Sequence, residues 1–100
     1  MSEASETQLT RELFAGEIGS TFHLDTEPPV KLELVEATAT GGESDAREPF
    51  SLVFLGPVEP TLHQATFSMR HEALGELLLF LVPLGPDEEE KGMRYEAVFS

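Results

Sequence analysis

From Gln64 to His71 the chain alternates apolar and polar residues without a slip. Ala65, Phe67, Met69 and His71 fall on one phase, and Thr66, Ser68 and Arg70 on the other. A period of two places successive side chains on opposite sides of an extended backbone, so this segment reads as a strand with one buried face. The same period recurs along most of the chain after residue 20, and no linker there carries a helix-length apolar repeat. A β/α/β order is therefore not expected, and the pattern points to an all-β domain.

Six strands are predicted, over residues 20–24, 30–39, 49–56, 64–71, 76–82 and 93–99. Between them lie the punctuating clusters Asp25-Thr26-Glu27-Pro28-Pro29, Thr40-Gly41-Gly42-Glu43-Ser44-Asp45-Ala46-Arg47, Gly56-Pro57-Val58-Glu59-Pro60 and Gly85-Pro86-Asp87-Glu88-Glu89-Glu90-Lys91-Gly92. In the second strand Val30, Leu32 and Leu34 share a phase that slips at Val35-Glu36-Ala37, the sign of a bulge or of the strand's end. The third and fifth strands are apolar on both phases. Phe50, Leu52 and Phe54 are backed by Val53 and Leu55, and Leu77, Leu79 and Leu81 by Leu78, Phe80 and Val82. Strands of this kind are expected to be covered on both faces, and Pro83 is expected to end the fifth. In the last strand Met93, Tyr95, Ala97 and Phe99 face inward.

Ahead of the strands, Thr10 is placed to cap a short helix with Glu12 in its first turn; Leu9, Leu13 and Phe14 would dock it on the core, and Gly16 or Gly19 would end it. The expected fold is a compact six-stranded, mainly antiparallel barrel or sandwich with one short N-terminal helix. Residues 1–8 are expected to form a flexible tail and residues 9–100 a single β domain.

Forty per cent of the 100 residues are apolar, enough for one modest core. Nineteen acids against six Lys and Arg give a net charge of -13. Such a surface repels phosphate backbones and anionic membranes, so neither nucleic acid nor a membrane is expected as a partner. With no Cys there is no disulfide and no thiol nucleophile. The opening MSEASETQLT lacks the basic and apolar regions of a secretory signal, and a cytoplasmic protein is expected.

The stretch MRHEALG, residues 69–75, contains the His-Glu that opens a zinc-protease motif. That motif needs a second His four positions on, and Gly75 stands there. The reading preferred is a hairpin, with Glu72-Ala73-Leu74-Gly75 as its turn, Leu74 folding over the core and Arg70 opposite Glu76. His23, His63 and His71, with Asp25, are the residues from which a metal site would have to be built. The acidic run 87–90 lacks the alternation and the Gly of a calcium loop. Ser20, Ser51 and Ser68 lie in strands without a nucleophile elbow, and Gly41-Gly42 is not followed by the residues of a phosphate loop. No catalytic, cofactor-binding or metal residues are assigned, and no enzyme activity or cofactor is expected.

A group of segments resembles an uncharacterised family of small bacterial β-rich domains of unknown function. They are Leu9-Thr10 with Phe14, Gly19 with Phe22, Glu33-Leu34, Glu48-Pro49-Phe50-Ser51-Leu52 with Phe54, Gln64 with Phe67, His71 with Leu74-Gly75, Leu79-Phe80-Leu81-Val82-Pro83 with Gly85, and Tyr95-Glu96-Ala97-Val98-Phe99. The resemblance spans about residues 9–99. It carries no catalytic residues to transfer, and it implies a neighbourhood of phage-tail-like and collar-like proteins. The function expected is a noncatalytic protein–protein interaction or structural domain in a phage-tail-like or other multiprotein assembly. It would bind a protein partner or a second copy through an edge strand or a sheet face. The alternatives are a small-ligand-binding β-barrel and, behind it, a His/carboxylate metalloprotein.

Overall fold

The computed structural model describes residues 10–39, 49–59, 61–87 and 92–99. One helix, α1 (Arg11–Ala15), precedes six strands: β1 (Thr21–Leu24), β2 (Val30–Ala39), β3 (Phe50–Gly56), β4 (Ala65–His71), β5 (Gly75–Pro86) and β6 (Met93–Phe99). The strands close into a barrel in the order β1-β2-β3-β6-β5-β4, and every pairing is antiparallel. Of the two architectures the alternation allowed, the barrel forms, because β1 reaches β4 and leaves no open sheet end.

The inward phases are those of the sequence pattern. Phe22, Leu24, Val30, Leu32, Leu34, Phe50, Leu52, Phe54, Met69, Leu77, Leu79, Leu81, Tyr95 and Ala97 are all buried in one core. The slip in β2 is a bulge: the register against β3 shifts between Leu34 and Glu36, and Ala37 comes opposite Leu52. The bulge lets a ten-residue strand curve with the wall and continue to Ala39. Buried Gly56 ends β3 where an added Cβ would run into the Leu32 side chain, so the absence of a side chain lets Leu32 fill that part of the core.

Two expectations about β5 are corrected. The strand does not stop at Pro83: Pro83 pairs with Tyr95, and after a register shift Gly85 and Pro86 pair with Arg94 and Met93. The irregularity removes the need for an unbroken ladder of N–H donors, so proline is tolerated there. Nor is β5 covered on both faces, since Leu78 and Phe80 point outward and are exposed.

α1 closes one end of the barrel. The Thr10 hydroxyl accepts from the Leu13 N–H at 3.1 Å, capping the helix. Phe14 is the buried residue of α1, and its ring packs near those of Phe22, Phe50 and Phe99. Leu9 and the tail expected over 1–8 lie outside the described residues, as do the whole loop at 40–47 and residues 88–90 of the acidic run. At the opposite end of the barrel the buried Tyr95 hydroxyl accepts from the Leu62 N–H at 2.8 Å, tying the β3–β4 connection to the core. No helix among the described residues is long and apolar enough to cross a membrane.

Candidate functional site

The MRHEALG stretch is a hairpin. His71 pairs with Gly75, Gly75 takes a φ of 79°, and Leu74 packs against the core. A positive φ is reached at little steric cost only without a Cβ, which is why glycine stands at this corner. Arg70 is opposite Glu76 in the register.

His71 is the last residue of β4 on the inward phase and is 5% exposed. Its Nδ1 accepts from the backbone N–H groups of Ala73 and Leu74, at 3.0 and 3.1 Å. A nitrogen that accepts two N–H groups carries no proton, so in the neutral ring the proton is on Nε2. Nε2 then donates to the Ser20 hydroxyl at 2.8 Å, and the Ser20 O–H donates a hydrogen bond to the Glu17 carbonyl. The Glu17 carboxylate lies 3.6 Å from the same Nε2. The Phe22 ring packs on the imidazole with centroids 4.3 Å apart.

This chemistry runs opposite to that of a serine nucleophile, whose imidazole partner must hold a free electron pair toward the hydroxyl. Here the hydroxyl accepts from the ring. What the arrangement does is close the barrel. The β1–β4 ladder consists of His23 with Arg70 and Leu24 with Met69. The Asp25 N–H to Ser68 carbonyl bond extends it at one end, and the Ser20–His71 bond with the Phe22–His71 stack extends it at the other.

The three histidines are not brought together. His71 is buried, His23 is exposed on β1, and His63 is exposed ahead of β4, at the end of that strand away from His71. Among the described residues no three His, Asp or Glu side chains are grouped so that they could hold a metal ion. A concavity of about 610 Å³ opens beside His71, lined by Glu17, Ser20, Thr21, His23, Glu72 and Ala73. Ser20 lies one residue ahead of β1 rather than in it.

The second candidate is the outer wall. Leu78, Phe80 and Val98 are 72%, 49% and 63% exposed. Leu78 and Phe80 are neighbours on the outward phase of β5, and across the ladder they meet only the short side chains of Ser68 and Thr66. The β5–β6 register pairs Val82 with Glu96. Carried two residues further, it brings Phe80 level with Val98. Leu78, Phe80, Val82 and Val98 thus form an apolar row beside the β5–β6 seam. Sequence reasoning identified the double apolar pattern but assigned it to burial.

Residues 9–99 match a domain of unknown function, DUF6916. No curated protein and no solved structure matches the chain.

Proposed function

The chain belongs to the DUF6916 family, and from that premise we propose that it is a noncatalytic domain that works by binding another protein. The observation that carries this reading is the bare apolar row of Leu78 and Phe80, with Val98 beside it. Fully burying a side chain of this kind is worth about 1.5–3 kcal/mol, and the fold leaves that contribution unused on its outer wall. Exposed large apolar groups set side by side mark contact surfaces. The fixed tautomer of His71 and its place in the barrel closure support a structural role for that residue.

The wider setting proposed is a multiprotein assembly of the phage-tail-like kind in the bacterial cytoplasm. Its support is the sequence resemblance and the strongly acidic surface, which disfavours nucleic acid. A second reading, a small-ligand barrel, has the concavity beside His71 in its favour.

Light scattering at several concentrations, followed by retention of partners from native extract, tests the protein-binding reading. Wild-type protein is expected to retain a partner that the Leu78→Ser/Phe80→Thr variant releases. A strict monomer that holds nothing, or a variant that holds the same partner equally well, would count against it.

A further inference from the structure

The barrel is closed and β5 lies between β4 and β6, so its wall offers a partner no free strand edge. A partner seated on the bare Leu78, Phe80 and Val98 therefore touches side chains alone. An extended segment laid there would press its own unpaired N–H and C=O groups onto apolar surface, and each such buried group is costly. A helix has its interior backbone bonds already made. The shape of the row fits a helix as well. It stands on two neighbouring strands, which lie about 4.8 Å apart, so it is no wider than the contact face of one helix about 10 Å across. Beside it the wall is low: Ser68 and Thr66 flank Leu78 and Phe80, and Ser51 stands opposite Val98. The one helix among the described residues, α1, packs on β2 and β3 and leaves this face bare.

Charge narrows the occupant. The uncharged face ends at Arg70 and Glu76 on one side, and on the other at Glu96 and Glu36, which are level with Val82. Those ends are separated by about 20 Å at ordinary strand rise, a distance that a helix covers in about 13 residues. None of Glu36, Glu76 and Glu96 has an ion pair among the described residues. Arg70 stands opposite Glu76, and Arg94 is two residues from Glu96, yet neither closes on its neighbour as a salt bridge. Three carboxylates thus stand with two guanidinium groups around the row, on a chain with a net charge of -13. Two copies would bring that charge together at one interface, so a second copy is opposed and a basic partner is favoured.

Resting on the protein-binding reading above, we infer that the outer wall of β5 and β6 takes an amphipathic helix of a basic protein. Apolar side chains three and four residues apart along that helix lie on Leu78, Phe80 and Val98. Lys or Arg flanking the apolar stripe meets Glu36, Glu76 and Glu96.

A random linear peptide library selected on the full chain, with counter-selection on the Leu78→Ser/Phe80→Thr variant, tests this. The enriched sequences should carry apolar residues at helical spacing, flanked by Lys or Arg. A synthetic peptide of that pattern should gain helix on binding, read by circular dichroism, and should shift the amide resonances of Leu78, Phe80 and Val98. It should bind the Leu78→Ser/Phe80→Thr variant at least about tenfold more weakly. Glu36→Gln/Glu96→Gln should weaken it about threefold at low salt. Enrichment of a spacing of two, of acidic flanks or of nothing would overturn the inference. So would a peptide that binds without gaining helix, or one that the Glu36→Gln/Glu96→Gln variant binds equally well, although loss of binding in the Leu78→Ser/Phe80→Thr variant would still uphold the surface. Equal binding by the Leu78→Ser/Phe80→Thr variant would overturn the surface reading as well. A dimer in sedimentation equilibrium that this variant abolishes would replace the basic helix with a second copy.

Discussion

On β3 the outward residues Ser51 and Val53 are buried, each 9% exposed, while on β5 the outward residues Leu78 and Phe80 are bare. The two strands share a sequence pattern, apolar on both phases, and both lie inside the closed wall. The difference comes from their neighbours. β3 is laddered along its length on both sides, and Val53 sits in register between Glu36 and Glu96. The methylene groups of such neighbours can lie against the Val53 side chain while their carboxylates stay in water. Leu78 and Phe80 have Ser68 and Thr66 on one side and the end of a ladder on the other. An apolar outward phase is thus part of the fold on β3 and an unoccupied surface on β5.

The comparison is sharpened first by residues on which the strands should agree. Their inward phases are equivalent, so Phe54→Ala on β3 and Leu79→Ala on β5 should each lower unfolding free energy by about 2–5 kcal/mol in urea denaturation. If Leu79→Ala costs much less, β5 is loosely attached on both faces and the contrast fails. Next, His71→Ala should cost about 2–4 kcal/mol, because it removes the ring packed on Phe22 and leaves the Ala73 and Leu74 N–H groups without their acceptor. The same variant should raise hydrogen exchange at β1 and β4 before β3 and β6, since it loosens the β1–β4 closure.

Gly56→Ala at the end of β3 should cost about 1–3 kcal/mol, read as a lower melting temperature, because the new methyl group meets the Leu32 side chain. Tyr95→Phe should cost about 1–3 kcal/mol by leaving the buried Leu62 N–H unsatisfied. The smallest effect is expected on the outer wall of β5. Leu78→Ser should stay within about 0.5 kcal/mol of wild type, as exposed positions do.

Much of the barrel was legible in the sequence because its information is local. The alternation at 64–71 placed His71 inward, Gly75 marked the corner, Thr10 marked the cap, and the slip at Val35 marked the bulge. What was not legible depends on pairings between distant segments. Ser20 and His71 are 51 positions apart and meet only because β1 closes on β4. Pro83 looked like a strand end because the β6 register shift that accommodates it has no signature in β5 itself. The bareness of Leu78 and Phe80 could not be read from their own segment, since it follows from the small size of Ser68 and Thr66 and from where the β6 ladder stops. No signal near Ser20 or Glu17 announced their contact with His71.

The most direct test is one measurement made two ways on the Leu78→Ser/Phe80→Thr variant: its unfolding free energy, and its capture of the partner that wild-type protein retains. The account predicts stability within about 1 kcal/mol of wild type, two exposed substitutions each contributing no more than about half that, together with loss of the partner. A variant destabilised by more than about 2 kcal/mol, or one that keeps the partner, would contradict it.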